Sequence, residues 1–328
     1  MLKKMINNAR INMEIIPIDP LLIKSGQATV GGVDMSFVRT YKYGEKEEPY
    51  IPGSSLKGMI RAYGEKICRS LRNHPVPVCL PYVSPGKETQ GEKHQASCGL
   101  CLDKYKKKYK QDTIPSATIY SLSCPICRIF GSHEFIGRCS ASDAYLTESF
   151  KATGAHALEI RNGVAIDRFT GGAAPGAIYD LEVLTRGEFS TSIEIRNFER
   201  WQLGLLCLIF RDMEQGLVRI GFGKSRGLGR FEARITQFQI TSYNTPIKKI
   251  TGLAGVCTKE ECKAYDFFPE KTQSSTSLPV PVLNGLRQEY DITNTWKDVL
   301  NQAVEDLVEM IGNVNWPNNL EQFLERGK

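Results

Sequence analysis

Apolar and polar residues alternate near the start of the chain and then follow a helical period. Alternation over residues 11–15 predicts a first strand that ends at Pro17. Residues 26–44 contain few apolar side chains and are interpreted as a long irregular loop. Ser54 or Ser55 is then predicted to cap the N-terminus of a helix. Its apolar stripe consists of Leu56, Met59, Ile60, Tyr63, Ile67 and Leu71.

The second half of the pattern completes a mixed fold. Apolar residues alternate over residues 140–145 and 181–195, which predicts strands there. Residues 199–213 have the period of a second amphipathic helix, and residues 231–240 are predicted to form a last strand. Strand, helix, strand, strand, helix, strand is the order of a ferredoxin-like domain. The sequence therefore predicts an α+β fold with a ferredoxin-like core.

Composition narrows the class of protein. The 328 residues are 41% hydrophobic and 24% charged, enough for one domain with additions or for two small domains. We find no apolar run close to the roughly 20 residues that a membrane span needs, and residues 1–10 lack the apolar stretch of a secretory signal. We therefore expect a cytoplasmic protein.

Charge is divided unevenly along the chain. Residues 1–245 carry 33 basic and 24 acidic side chains, a net charge of +9, whereas residues 246–328 carry 9 and 12, a net charge of −3. The basic part favours a polyanionic partner, although a solvated basic surface has the same composition. The acidic part contains an apolar helical stripe from Trp296 to Ile311, followed by Gly312, and this helix is expected to pack either on its own domain or on a neighbouring subunit.

Four of the ten cysteines form two CxxC pairs. Cys98 with Cys101, and Cys124 with Cys127, have the spacing of two turns that each present two thiolates to one structural zinc ion. Cys79 and His94 lie close enough in sequence to replace one of these ligands.

Two basic segments have the composition of polyanion-binding sites. Residues 221–230, GFGKSRGLGR, combine four glycines with Lys224, Arg226 and Arg230, which suits phosphate binding as well as a tight turn between two strands. Their spacing is not that of a mononucleotide-binding loop. Residues 104–110, KYKKKYK, suit single-stranded nucleic acid, but such a run is more often a solvated helix face.

Four motifs in a fixed order carry a resemblance to a known family. They are IPGSSLKG at residues 51–58 after a loop with Asp34, CPICRIFG at 124–131, IDRFTG at 166–171 and GFGKSRGLGR at 221–230. Together they resemble the RAMP superfamily, and more narrowly the backbone subunit of type III (Csm/Cmr-like) CRISPR effector complexes. The resemblance runs from about residue 11 to residue 241.

This resemblance implies a domain organisation. Residues 1–78 and 128–245 would form a ferredoxin-like (RRM-like) palm, with a β-hairpin thumb at about residues 159–188. Residues 79–127 would be a zinc-binding insertion, and residues 246–328 a C-terminal extension with an amphipathic helix. Copies of such a subunit stack along a guide RNA.

The resemblance also implies a function and its residues. The thumb would interrupt the duplex between CRISPR guide RNA and complementary target RNA, and Asp34 would cleave the target there with Mg²⁺ or Mn²⁺. Other implied partners are neighbouring backbone subunits, the large signature subunit and the small subunit. The zinc ligands would be Cys98, Cys101, Cys124 and Cys127. Expected RNA contacts are Ser54, Ser55, Lys57, Arg61, Asp167, Arg168, Gly223, Lys224, Ser225, Arg226 and Gly227.

Several alternatives stay open at this point. The chain is an endoribonuclease subunit, a guide-binding scaffold that does not cut, or an unrelated zinc-containing RNA-binding module that uses residues 104–110. Asp34 would either bind the metal ion or act as a base. Asp167 and Arg168 form an ion pair or contact RNA, and Arg39 holds a phosphate or is simply exposed.

Overall fold

A computed structural model describes residues 2–26, 32–41, 47–81, 97–110, 112–153, 157–243, 246–270, 276–314, 316 and 320–326. Strands and helices both contribute, so the predicted α+β class is confirmed. The strands are β1 (Asn7–Pro17), β2 (Arg39–Tyr41), β3 (Glu47–Ile51), β4 (Gly131–Ser132), β5 (Phe135–Ile136), β6 (Cys139–Ala141), β7 (Ala144–Leu146), β8 (Ala157–Ile166), β9 (Ala173–Arg186), β10 (Phe189–Arg196), β11 (Phe231–Tyr243), β12 (Val282–Asn284) and β13 (Arg287–Asp291). The helices are α1 (Gly53–Leu71), α2 (Cys98–Tyr109), α3 (Ser116–Leu122), α4 (Pro125–Phe130), α5 (Glu148–Ala152), α6 (Arg200–Glu214), α7 (Leu253–Val256), α8 (Lys259–Tyr265), α9 (Trp296–Val299), α10 (Asn301–Asn313) and α11 (Leu320–Arg326).

One large antiparallel sheet organises the molecule. Its strand order is β12-β13-β11-β1-β10-β7-β3-β2, and β6 also pairs with β10. Strand β1 lies between β10 and β11 and is antiparallel to both. Its alternating residues Ile11, Met13 and Ile15 are fully buried, as the sequence pattern predicts. Helices α1 and α6 pack on the sheet and on each other.

Helix α1 begins at Gly53, before both of the predicted cap residues. Its N-cap residue is Pro52, and neither Ser54 nor Ser55 supplies a side-chain cap. The backbone N–H of Gly53 donates instead to Asp143 Oδ1 at 2.7 Å. A carboxylate from the segment before β7 therefore takes the place of a serine cap at the positive end of the helix.

Strands β8 and β9 form a two-stranded hairpin outside the large sheet. Most of its side chains are exposed, including Ile160, Ile166 and Ile178. Phe169 at its tip is 99% exposed. At the other end of the hairpin, Val183 and Leu184 of β9 are fully buried. The hairpin is thus anchored in the core at one end and projects its apolar tip into solvent.

The C-terminal part packs on the same molecule. Strand β13 extends the large sheet by pairing with β11, and helix α10 packs along α6. A side chain at Gly204 of α6 would clash with the backbone carbonyl of Ala303, so glycine permits this close helix approach. Arg200 of α6 pairs with Asp306 of α10 at 2.5 Å, and both side chains are buried. The sequence predicted that this helix packs either on its own domain or on a neighbouring subunit, and in the structure it packs on its own domain.

The predicted C-terminal helix is divided in two. Helix α9 ends at Val299, Leu300 stands between the helices, and α10 continues past Gly312 to Asn313. Among the described residues, no helix is both long enough and apolar enough to cross a membrane.

Candidate functional site

Asp34 lies in a segment that runs between the first part of the chain and the hairpin. On one side, Lys24 and Phe37 form an antiparallel bridge. On the other side, Met35 and Leu181 of β9 form a parallel bridge. The backbone N–H of Met35 donates to Asp180 O at 3.1 Å, and the N–H of Glu182 donates to Met35 O at 3.0 Å. The segment is therefore held against the buried end of the hairpin by backbone hydrogen bonds.

The Asp34 side chain is exposed beside the hairpin. Its Oδ2 atom accepts a hydrogen bond from the backbone N–H of Asp180 at 3.0 Å. This contact fixes one carboxylate oxygen and orients the group along β9. An exposed carboxylate in such a place can bind a divalent cation or accept a proton from a bound ligand.

The glycine-rich loop lies against the same end of the hairpin. The Phe222 N–H donates to Leu22 O at 2.7 Å, and Gly221 has a φ of 82°. Any side chain at Gly221 would clash with the Leu22 carbonyl, which explains the glycine at this position. Arg226 donates from Nη1 to the hydroxyl of Tyr179 on β9 at 2.6 Å.

The glycine-rich loop leaves its basic tip exposed. The exposed tip consists of Lys224, Ser225, Arg226 and Gly227, whereas Gly223 is half-buried. Burial and the neighbouring Lys66 lower the pKa of Lys224. Lys66 on α1 thus brings a second ammonium group near the loop, and this concentration of positive charge favours an anionic ligand.

The predicted RNA contacts at the start of α1 differ from one another in exposure and in hydrogen bonding. Ser54 is exposed, whereas Ser55 and Lys57 are half-buried. Arg61 donates to the Gly131 carbonyl at 3.1 Å, to Glu65 Oε1 at 3.3 Å and to Cys127 Sγ at 3.4 Å. The Arg61 guanidinium therefore has protein partners next to the cysteine group.

Asp167 shapes the turn at the tip of the hairpin. Its carboxylate accepts hydrogen bonds from the Phe169 N–H at 2.9 Å and from the Thr170 hydroxyl at 3.1 Å. These bonds, led by that of the Phe169 N–H, lower the pKa of Asp167. Arg168 is exposed and forms no ion pair with Asp167 within the described part of the hairpin. The sequence left open whether Asp167 and Arg168 form an ion pair or contact RNA, and the structure does not contain the ion pair.

Four buried cysteines converge to form a candidate metal site. The Sγ atoms of Cys79, Cys98, Cys124 and Cys127 all lie within 4.8 Å of one another, and those of Cys79 and Cys127 are 3.6 Å apart. Sulfur atoms at the corners of a tetrahedral zinc site are about 3.8 Å apart, given Zn–S bonds of about 2.3 Å. The N–H of Cys124 points to Cys98 Sγ at 3.3 Å, and that of Cys127 to Cys124 Sγ at 3.4 Å. The group could hold zinc, because it offers four sulfur donors and N–H groups that support thiolates.

One predicted zinc ligand is corrected by this geometry. Cys101 is outside the group and packs instead in an apolar cluster with Leu102, Tyr105 and Phe323. Cys79, which the sequence analysis named as a replacement, takes its place; His94 lies outside the described residues. The N-terminal end of α2 brings Cys98 to the group, while Cys101, one turn later, faces the apolar cluster.

Comparison with protein families gives one match. Residues 16–232, about two-thirds of the chain, match the model of the RAMP superfamily. The chain belongs to the RAMP superfamily. The match covers Asp34, α1, the cysteine group, the hairpin and the glycine-rich loop. Comparison with the curated proteins finds no match. RAMP membership indicates an RNA-binding subunit with a CRISPR RNA and other effector-complex subunits as partners.

The lysine–tyrosine run of this RAMP protein is a helix face. Tyr105 is buried, and the Tyr109 hydroxyl donates to the Leu324 carbonyl at 2.8 Å. Lys106 forms an ion pair with Glu134. The ring of Tyr105 is buried and the half-buried ring of Tyr109 packs against it, whereas the nucleic-acid interpretation of this run requires exposed rings on which bases stack.

Sequence reasoning missed the residues of β9 that connect the parts of the RAMP site. Tyr179 contacts the glycine-rich loop, Asp180 contacts Asp34, and Glu182 forms an ion pair with Arg39 at 2.5 Å. Arg39 is thus paired rather than simply exposed. Asp180 and Glu182 share the two-residue period of one strand, but this pattern does not reveal partners that lie 146 and 143 residues earlier in the chain. The partner of Tyr179, Arg226, lies 47 residues later.

Proposed function

We propose that this RAMP protein is a backbone subunit of a type III CRISPR effector complex and that it cleaves target RNA paired to the guide. The observation that carries the proposal is the position of Asp34, an exposed carboxylate hydrogen-bonded to the base of a projecting hairpin. The basic glycine-rich loop touches the same hairpin through Arg226. The basic glycine-rich loop and the carboxylate thus lie together at the base of the hairpin, whose exposed tip projects away from them.

In this proposal the large sheet is a ferredoxin-like palm, and the β8–β9 hairpin is its thumb. The neighbouring strands β11, β1, β10 and β7, with α1 and α6 packed against them, support the palm assignment. The length of the hairpin and its exposed apolar tip support the thumb assignment. Ile166 and Phe169 are apolar groups that can displace a base from a duplex, since a wedge gains by removing its surface from water.

The chemistry needs little from the protein, because RNA carries its own nucleophile. A nucleotide that is splayed by the hairpin can bring its 2′-hydroxyl into line with the adjacent phosphate. In this proposal Lys224 and Arg226 hold the backbone phosphates of the guide. Asp34 keeps one oxygen on the Asp180 N–H and directs the other to the scissile site, either to hold Mg²⁺ or Mn²⁺ or to accept the hydroxyl proton. When bound, the ion supplies positive charge for the phosphate oxygens.

We also propose that the four-cysteine group holds a structural zinc ion. Cys79, Cys98, Cys124 and Cys127 are the ligands, and all four are buried. The site has no open position for a substrate, in agreement with a structural role. The Arg61 guanidinium, 3.4 Å from Cys127 Sγ, offsets part of the negative charge of four thiolates.

The experiment is cleavage of an end-labelled complementary RNA by the complex reconstituted with guide RNA and Mg²⁺. Asp34→Ala is compared with wild type and with Asp112→Ala, which removes an exposed carboxylate from the segment between α2 and α3. We expect Asp34→Ala to abolish one or more regularly spaced cuts at unchanged target affinity, and Asp112→Ala to cut normally. An unchanged cutting pattern with Asp34→Ala would leave the chain as a guide-binding scaffold.

A further inference from the structure

Glu182 is a half-buried carboxylate on β9 that the proposed chemistry does not use. Its side chain is 12% exposed. Oε2 accepts a hydrogen bond from the Phe37 N–H at 2.9 Å, and Oε1 accepts one from Arg39 Nη2 at 2.5 Å. The Glu182 N–H donates to Met35 O at 3.0 Å. Its carboxylate and its N–H are therefore both directed at the segment that carries Asp34.

The contacts of Glu182 and Asp180 enclose one short stretch of that segment. Asp180 binds Asp34 through its N–H and Met35 through its carbonyl, and Glu182 binds Met35, Phe37 and Arg39. Residues two apart in a strand face the same side, so β9 presents both groups along one edge. The orientation of Asp34 thus depends on β9 rather than on the segment alone.

We propose that Glu182 is a positioning residue that holds the Asp34 carboxylate at the base of the hairpin. The inference rests on the proposed catalytic role of Asp34. Charge-assisted hydrogen bonds are shorter and stronger than neutral ones, and the pair with Arg39 is largely shielded from water. The Asp34 segment and the base of the hairpin consequently move as one unit, and the carboxylate keeps its position relative to the hairpin whose tip displaces the target base.

Loss of Glu182 is expected to loosen this segment without unfolding the protein. The Phe37 side chain, 1% exposed, belongs to the main core. The N–H of Val38 donates to the Ile23 carbonyl at 2.9 Å, and the N–H of Ser25 donates to the Ser36 carbonyl at 2.9 Å. These contacts hold the segment on the palm side when Glu182 is removed. What is lost is the side-chain contact from β9 to Phe37 and Arg39. The backbone bonds at Met35 and Asp34 remain, so the segment that carries Asp34 is still attached to β9 but less firmly restrained.

The test compares Glu182→Ala and Glu182→Gln with Glu159→Gln, which alters an exposed ion pair with Arg161 on the same hairpin. In single-turnover cleavage by the reconstituted complex, Glu182→Ala is expected to lower the rate roughly 10- to 100-fold, since misplacement by about 1 Å costs on that order. Target affinity stays unchanged. Glu182→Gln keeps an oxygen for the Phe37 N–H and loses the charged pair, so its rate lies between those of wild type and Glu182→Ala. Glu159→Gln cuts at the wild-type rate.

A second readout does not depend on cleavage. Amide hydrogen exchange at residues 35–38 of the free chain is expected to be faster in Glu182→Ala than in wild type or Glu159→Gln. Arg39→Ala in the Glu182→Ala background is expected to add no further loss of rate, because the two side chains act as one pair. Assembly with guide RNA is measured for each variant, and Glu182→Gln, with the smallest change in shape, serves if Glu182→Ala does not assemble.

The outcomes separate this inference from the proposed function. Wild-type cleavage by both Glu182 variants in complexes that Asp34→Ala inactivates would overturn the inference alone. Slower cleavage with unchanged exchange at residues 35–38 would also overturn it, because Glu182 would then act in another way. Continued cleavage by Asp34→Ala would overturn the proposed function, while the exchange measurement would still test the contact.

Discussion

The cysteine group and the Asp34 site differ in how much of each site the chain itself supplies. The four cysteines are buried and bring a complete set of sulfur donors together. Asp34 is exposed, and its carboxylate has one backbone hydrogen bond from β9. A structural metal site is completed by folding, whereas a site that acts on RNA is completed by the RNA. The comparison implies that damage to the first group costs stability, and damage to the second costs activity alone.

Loss of a cysteine ligand should have the largest effect on stability. Zinc binding by a four-cysteine site contributes on the order of 10 kcal/mol to folding of the unit that it organises. We expect Cys79→Ala to lose bound zinc and to lower the melting temperature strongly. Cys101→Ala is the matched control: it deletes one buried sulfur from an apolar cluster, which costs about 1–3 kcal/mol, and should keep its zinc. Metal content by mass spectrometry, with thermal melting, distinguishes the two; zinc lost from Cys101→Ala and kept in Cys79→Ala would refute the ligand set.

The next largest effect is expected at the ion pair between Arg200 of α6 and Asp306 of α10. Asp306→Ala leaves the buried Arg200 without its closest carboxylate, a change that typically costs about 3–5 kcal/mol. Glu159→Ala breaks the exposed pair with Arg161 and should cost at most about 1 kcal/mol. Urea denaturation measures both free energies of unfolding. Equal losses in the two variants would show that burial does not separate these regions.

A smaller effect on the free energy of unfolding is expected from pH, because Glu270 titrates. Burial raises the pKa of its carboxyl from the usual 4.5 to about 7, although the nearby Arg200 guanidinium acts in the opposite direction. Between these values the folded chain holds a proton that the unfolded chain releases, so stability is highest below pH 4.5 with respect to this group and falls as pH rises to about 7. The expected loss across this window is about 3 kcal/mol.

Glu270→Gln serves as the control for this pH dependence. The amide does not titrate, so the part of the slope that belongs to Glu270 should disappear from plots of unfolding free energy against pH. The Gly252 N–H, 2.9 Å from Glu270 Oε1, keeps an oxygen acceptor in this variant. A slope that is the same in wild type and Glu270→Gln would assign the titration to another group.

Local sequence patterns were enough to predict most strands and helices, whereas the functional sites depend on contacts between residues that are far apart in the sequence. Alternation in β1 and the helical period of α1 and α6 are properties of short segments. The bounds of α6 were predicted within one residue and the end of β1 at Pro17 was predicted correctly, whereas β1 begins at Asn7, four residues before the predicted alternation. The division between α9 and α10 at Leu300 lies inside an uninterrupted apolar stripe, which gives no signal of a break. The cap of α1 was missed because Asp143 is 90 residues away from Gly53.

The candidate sites divide in the same way. The CxxC spacing predicted a four-sulfur site, and three of its four ligands lie together. The fourth depends on which side chain the fold brings to the group, so Cys79 could be named only as an alternative to Cys101. The motifs pointed to Asp34 and the glycine-rich loop, whereas Tyr179 and Glu182 are recognisable only when β9 is seen beside those loops.

The most direct test of the central claim is a mixing experiment. Complexes are reconstituted with guide RNA from wild-type and Asp34→Ala chains in known ratios, and the cuts in one labelled target RNA are measured at saturating Mg²⁺ with target binding confirmed. If each chain cuts at its own hairpin with its own Asp34, every cut that this subunit makes should decline in proportion to the wild-type fraction. Cuts of full strength in complexes that contain only Asp34→Ala would contradict the account and place the nuclease in another subunit.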